Sequence, residues 1–264
     1  MSDWLLGLPV VWMSVVILAA VYLFTAAVYV VITRLAVGER AKTFKAISPG
    51  MLPPLSVVFA LLVGFLAAQV WSDAQQANAA VNREASALRA VVLLAAAFPG
   101  EPERRLQELV GKHIQEAATN EWPAMAGGHA TLTLVPAALA EALRLSLTLN
   151  AQTPGQMAAQ RELVAAIEAA LDARRQRIIL SHSGINPVKW MALLAQAGLT
   201  LIAIAMVHSD NRAANRIILT IFATGVAAAV ILIASHSRPF SGEISVRPTV
   251  MLQVMPEAVA APGP

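Results

Sequence analysis

The chain has no cysteine. That excludes a disulfide framework, a thiol nucleophile and a thiolate metal site. Charge is also scarce: 13% of residues are Asp, Glu, Lys or Arg, against 57% hydrophobic, and the mean hydropathy is +0.63. Such a balance belongs to membrane proteins rather than water-soluble domains. The basic residues are scattered and form no nucleic-acid-binding motif, so no nucleic-acid partner is expected. No phosphate-binding loop, GxGxxG, GxSxG or HExxH occurs. The histidines, His113, His129, His182, His208 and His236, are dispersed, whereas a metal site needs three or four converging ligands. Catalytic, cofactor-binding and metal-binding residues are therefore all expected to be absent, and an enzyme is the weakest reading. No apolar run carries a charge at its centre, which argues against a proton-coupled transporter or a voltage sensor.

Four apolar runs are present, at about residues 9–32, 52–71, 190–207 and 217–234. Each is close to the roughly 20 helical residues that cross a bilayer. The first has Asp3 and no basic residue ahead of it and is longer than a signal-peptide core, so it reads as a retained span. Trp4, Trp12, Tyr22 and Tyr29 are candidate interface anchors. The second run organises the rest. It opens on Pro53 and Pro54, where a missing N–H costs little. It then continues past Trp71 with no proline or glycine until Phe98-Pro99-Gly100. Residues 52–97 thus read as one helix, half in lipid and half in water.

Beyond Trp71, the seam Val81, Ala85, Leu88, Val92 and Ala95 needs helical partners. A helix opened by Pro102, with Leu106, Leu109, Val110, His113, Ile114 and Ala117 on one face, is expected to stop at Glu121-Trp122-Pro123, because proline pushes its predecessor out of the helical region. Residues 126–129 read as loop and 136–149 as a shorter helix. Thr153-Pro154-Gly155-Gln156 reads as a capping box opening a helix with Leu163, Ile167, Leu171 and Ile178, which ends near Ser181. The expected fold is all-α: four transmembrane helices with a helical-bundle insert between the second and third. The division is 1–71 (first transmembrane hairpin), 72–186 (bundle), 187–235 (second hairpin) and 236–264 (tail, with a short alternating run at Ile244-Ser245-Val246 and a partly disordered end).

Candidate functional residues lie on two elements. On the second span, Ala60, Gly64 and Ala68 recur every four residues, a row that allows close helix packing. The opposite face, Leu55, Phe59, Leu62, Leu66 and Gln69, either meets lipid and neighbouring helices or lines an oligomeric pore, with Phe59 and Leu62 as an apolar constriction. In the insert, Arg83, Glu84, Glu121, Arg174 and Arg177 read either as ion pairs that fix bundle register or as a charged vestibule.

Several strings resemble the bestrophin-like family of bacterial membrane proteins, a domain of unknown function grouped with the bestrophin channels. They are Val70-Trp71, Arg83-Glu84-Ala85-Ser86-Ala87-Leu88, Glu121-Trp122, Leu171 to Ile178, Pro187 with Trp190, and Pro239-Phe240-Ser241-Gly242. The resemblance implies a homo-oligomer, pentameric as in bestrophins, in the bacterial inner membrane, with a pore along the second helix and the lipid bilayer around it. The permeant ion is left open. The acidic clasp of calcium-gated members has no counterpart, since no acidic run follows the fourth span and Glu243 has no acidic neighbour in sequence. The alternative is a non-conducting, membrane-anchored scaffold that docks a partner through the insert. Orientation also stays open. Arg34, Arg40, Lys42, Lys45, Arg212 and Arg216 favour cytoplasmic hairpins with the insert outside, whereas the resemblance and the basic residues between Arg174 and Lys189 favour a cytoplasmic insert.

Overall fold

The computed structural model describes residues 8–133 and 135–256, apart from the side chains of Ala41 and Lys45. Trp4 and the tail beyond Pro256 lie outside the described residues. Among those residues the protein is helical and contains no strand. Its helices are α1 (Val10–Leu35), α2 (Glu39–Lys45), α3 (Leu52–Ala95), α4 (Glu101–Glu116), α5 (Trp122–Ala126), α6 (Ala137–Thr148), α7 (Pro154–Ser181), α8 (Pro187–Val207), α9 (Arg212–Ser235) and α10 (Thr249–Leu252). Four elements are long and apolar enough to cross a membrane: α1, α3 with its preceding turn, α8 and α9. The chain divides into two compact units, and α3 runs unbroken through the boundary at Ser72.

The first unit holds the spans: residues up to Ser72, Gly184–Ser237 and Gly242–Ile244. α1 packs on α8 and α9, and α8 packs on α9. Lipid is as apolar as leucine, so close fit and internal hydrogen bonds hold such helices together. Gly198 of α8 lies where a Cβ would meet the Phe24 ring of α1 at 3.4 Å. Tyr22 and Thr224 share a hydrogen bond of 2.8 Å. Thr25, Thr200 and Thr220 return their hydroxyls to the carbonyl four residues back, which satisfies them without water. Asn215, buried at the start of α9, donates to the Ala205 carbonyl of α8 at 3.1 Å. The basic connection after α1 is not all loop. It contains α2, whose Phe44 packs with Ile32, Leu201 and Leu219.

The second unit comprises Asp73–Ser183, Arg238–Ser241 and the chain from Ser245. Its core joins Val81, Leu88 and Val91 of α3 to Leu106, Val110 and Ile114 of α4, Leu139 of α6, and Leu163 and Ile167 of α7. Each such side chain contributes about 1.5–3 kcal/mol by leaving water. Thr153 caps α7 by accepting from the Gln156 amide at 3.1 Å. The reciprocal half of the expected capping box is displaced by one residue: Gln156 accepts from Gln152 N–H, and its amide donates to the Ala97 carbonyl.

The expected stop at Pro123 is wrong. α4 passes into a π-turn, Ala117–Glu121, and the helix resumes as α5 with Trp122 still helical. The wide turn carries the Trp122 N–H to the Ala117 carbonyl, five residues back. It thereby accommodates a proline, which has no N–H and crowds the carbonyl four residues back in a regular α-helix. The run Ile244-Ser245-Val246 is irregular, with Val246 buried.

Candidate functional site

The span half of α3 has two faces, one packed on neighbouring spans and one open. Phe59 and Leu66 are buried, Leu62 is partly buried, and all three pack with Met13, Trp190, Leu193 and Val230. The Phe59 ring lies 5.6 Å from that of Phe222. The Leu55 carbonyl accepts from Gln196, and Gln69 accepts from Lys189 at 2.6 Å. Within the chain, Phe59, Leu62 and Leu66 of this face thus pack on neighbouring spans, the first of its two readings. Ala60, Gly64 and Ala68, expected to receive a neighbouring helix, are exposed, and nothing lies within 4 Å of a Cβ built on Gly64. Val57, Leu61 and Phe65 share that open side, at 57%, 55% and 71% exposure. A helical wheel separates the two faces at 100° per residue but does not say which one the chain covers.

The insert brings its candidate charges together. Glu84 sits beside the apolar seam of α3, and Arg174 and Arg177 share a face of α7. Arg177 grips Glu84 with both arms of its fork, Nε to Oε2 at 2.7 Å and Nη2 to Oε1 at 3.1 Å. Its Nη2 also reaches Glu121 at 2.8 Å. Arg174 Nε donates to Glu121 at 2.7 Å. His113, not singled out among the charges, meets Glu84 at 2.9 Å through Nε2. Trp122 lies under the Arg177 guanidinium at 4.5 Å, and Met125 Sδ lies 3.5 Å from Arg177 Nη1. One extra residue in the π-turn rotates the helix beyond it by about 100°, which brings Glu121 and Trp122 into the cluster. The clue to His113 was its place among Leu106, Leu109, Val110 and Ile114, where a polar side chain needs a buried partner.

Glu84 and Arg177 have no exposed side-chain surface, Arg174 has 8% and Glu121 19%. Burial pushes the Glu84 carboxyl up, but the Arg177 charge and the hydrogen bonds from His113 and Arg177 outweigh it, so the group stays below its ordinary value. Glu121 is held low in the same way, against burial, by Arg177 and Arg174. Burial works to lower Arg177, and its two carboxylate partners raise it above its ordinary value instead. Two carboxylates and two guanidiniums compensate each other, which is the condition for burying charge at all. These groups form an internal lock, open to solvent only at Glu121 and slightly at Arg174. Arg83 stands apart, exposed and bonded to Gln176 at 2.6 Å.

The C-terminal segment closes over this lock. Trp122 Nε1 donates to the Val246 carbonyl at 3.0 Å, Phe240 meets the Trp122 ring edge-on at 6.1 Å, and Ser241 donates to the Ala126 carbonyl. Four of the strings that mark the sequence thus meet at one buried cluster, through Glu84, Glu121 with Trp122, Arg174 with Arg177, and Phe240. The bestrophin-like domain model matches residues 9–251. The chain belongs to the bestrophin-like family. No curated protein and no solved structure matches it. The match takes in all four spans and the lock of this bestrophin-like chain. Among its described residues no three His, Asp or Glu side chains converge as a metal site.

Proposed function

We propose that this bestrophin-like chain forms a closed homo-oligomeric ring, pentameric by family resemblance, in a bacterial inner membrane, and conducts ions passively along an axis lined by the open face of α3. The observation that carries this reading is the exposure of that face. The apolar window of α3 has the smallest share of its residues covered within the protomer, 11% against 22%, 39% and 50% for the other spans. The open side of α1 is bulky, with Val11, Trp12, Val15, Leu23 and Phe24, as suits lipid. The open side of α3 combines Ala60, Gly64 and Ala68 with Val57, Leu61 and Phe65. Small residues let copies of α3 approach one another, and rings of Val57 and Leu61 would form an uncharged constriction of the kind that gates by dewetting. The lock would hold the aqueous half of each α3 in register and carry no ions itself.

Native mass spectrometry of the protein in nanodiscs tests this. A closed ring supports the reading. A monomer or dimer encloses no axis and would favour the membrane-anchored scaffold.

A further inference from the structure

One end of the span unit carries an excess of positive charge. Arg34 ends α1, Arg40 and Lys42 lie on α2, and Arg212 and Arg216 open α9. All five are exposed. Lys42 pairs with Glu39 at 2.8 Å on the surface. Among the described residues, none of Arg34, Arg40, Arg212 and Arg216 pairs with a carboxylate. The acidic residues at this end are Glu39 and Asp210, and Lys45 adds a further basic residue in sequence. α2 is fixed here, because Phe44 packs with Ile32, Leu201 and Leu219 and the helix packs on α8. Among the described residues at the other end of the spans, Lys189 donates to Gln69 and Glu243 accepts from the Val10 amide.

The basic run between Arg174 and Lys189 pointed the other way in the sequence, and it loses part of its force in the fold, where Arg175 and Lys189 stay exposed. Arg174 and Arg177 are buried and neutralised by Glu121 and Glu84, so they offer no free charge to a membrane surface. Against those two exposed residues stands the larger cationic rim on both hairpins at one end.

We infer that this rim, Arg34, Arg40, Lys42, Arg212 and Arg216, rests on the anionic lipid headgroups of the cytoplasmic leaflet. Two independent regularities support it: basic residues in short loops stay cytoplasmic, and each basic side chain near an anionic surface favours it by roughly fivefold. With four crossings, the segment between the second and third spans emerges on the side opposite both hairpins. The insert is therefore displayed outside the cytoplasm. The inference does not depend on conduction, since it holds for a channel or a scaffold.

Because the chain has no cysteine, single cysteines report sidedness cleanly. Val37→Cys in the first hairpin and Leu147→Cys in the insert both occupy exposed positions. With a membrane-impermeant maleimide on spheroplasts, Leu147→Cys should label at once and Val37→Cys only after permeabilisation. The reverse pattern overturns the inference. In liposomes, the wild-type thermal midpoint should be higher in phosphatidylglycerol than in phosphatidylcholine, and R34Q/R40Q/R212Q should lose that difference. A wild type indifferent to the two lipids, or a variant that responds as wild type does, overturns the role of the rim.

Discussion

Replacing Arg177 with methionine should unfold the insert more readily than any surface change. Arg177 supplies both arms of the fork on Glu84 and one bond to Glu121, and neither it nor Glu84 has exposed side-chain surface. Methionine fills much of the volume but leaves Glu84 with His113 alone. Removing one partner of a buried pair costs about 3–5 kcal/mol, because the remaining charge is uncompensated. At about 4 °C per kcal/mol for a unit of this size, the midpoint should fall by about 12–20 °C. Tryptophan fluorescence during heating is a direct assay, since Trp122 lies against the replaced guanidinium. Arg105→Ala is the control: Arg105 bonds Glu141 and Glu108 on the surface, and its loss should leave the midpoint nearly unchanged. The double variant E84Q/R177M should recover much of the loss by removing both charges. If Arg177→Met matches the Arg105 control, the lock contributes no stability and the reasoning fails.

The pH response follows from Glu84. Its folded-state carboxyl titrates below the ordinary value, so its contribution is full above the unfolded value of about 4.3 and is lost as pH falls from there through the folded value. Midpoints measured between about pH 6 and 3 should decline for the wild type and decline less steeply for Glu84→Gln. Trp122→Phe removes the bond to the Val246 carbonyl, worth about 0.5–1.5 kcal/mol, and should speed chymotryptic cleavage after Phe240, which packs on the Trp122 ring. Thr153→Ala should cost about 1 kcal/mol by uncapping α7, read from the same melting curves. Phe59→Ala should destabilise by about 3–5 kcal/mol, read from the same melting curves, because Phe59 packs among the spans of its own chain.

The four spans and the all-helical class were legible because long uncharged runs have few other uses. The long α3 was legible because no helix breaker comes after Trp71 until Pro99. What failed did so for identifiable reasons. α2 hides in GERAKTFK, where one phenylalanine carries the packing and no apolar period is visible. Pro123 misled because its local veto on the α-helix is absorbed by a π-turn, which no composition signal announces. The two faces of α3 were separable, but small side chains allow close approach without requiring it within the same chain. Glu84 and Arg177, 93 residues apart, were readable as a pair from bundle geometry. The contribution of His113 and the closure by the C-terminal segment depend on tertiary placement.

Ion flux through purified protein in liposomes reads the proposed conduction along α3 itself. Nothing lies within 4 Å of a Gly64 Cβ in the protomer, so Gly64→Leu should leave each chain folded while filling the proposed axis. The wild type should give flux above that of empty liposomes, and Gly64→Leu should lose it with an unchanged melting midpoint. Wild-type flux equal to that of empty liposomes, or flux that Gly64→Leu leaves intact, would contradict a pore along α3.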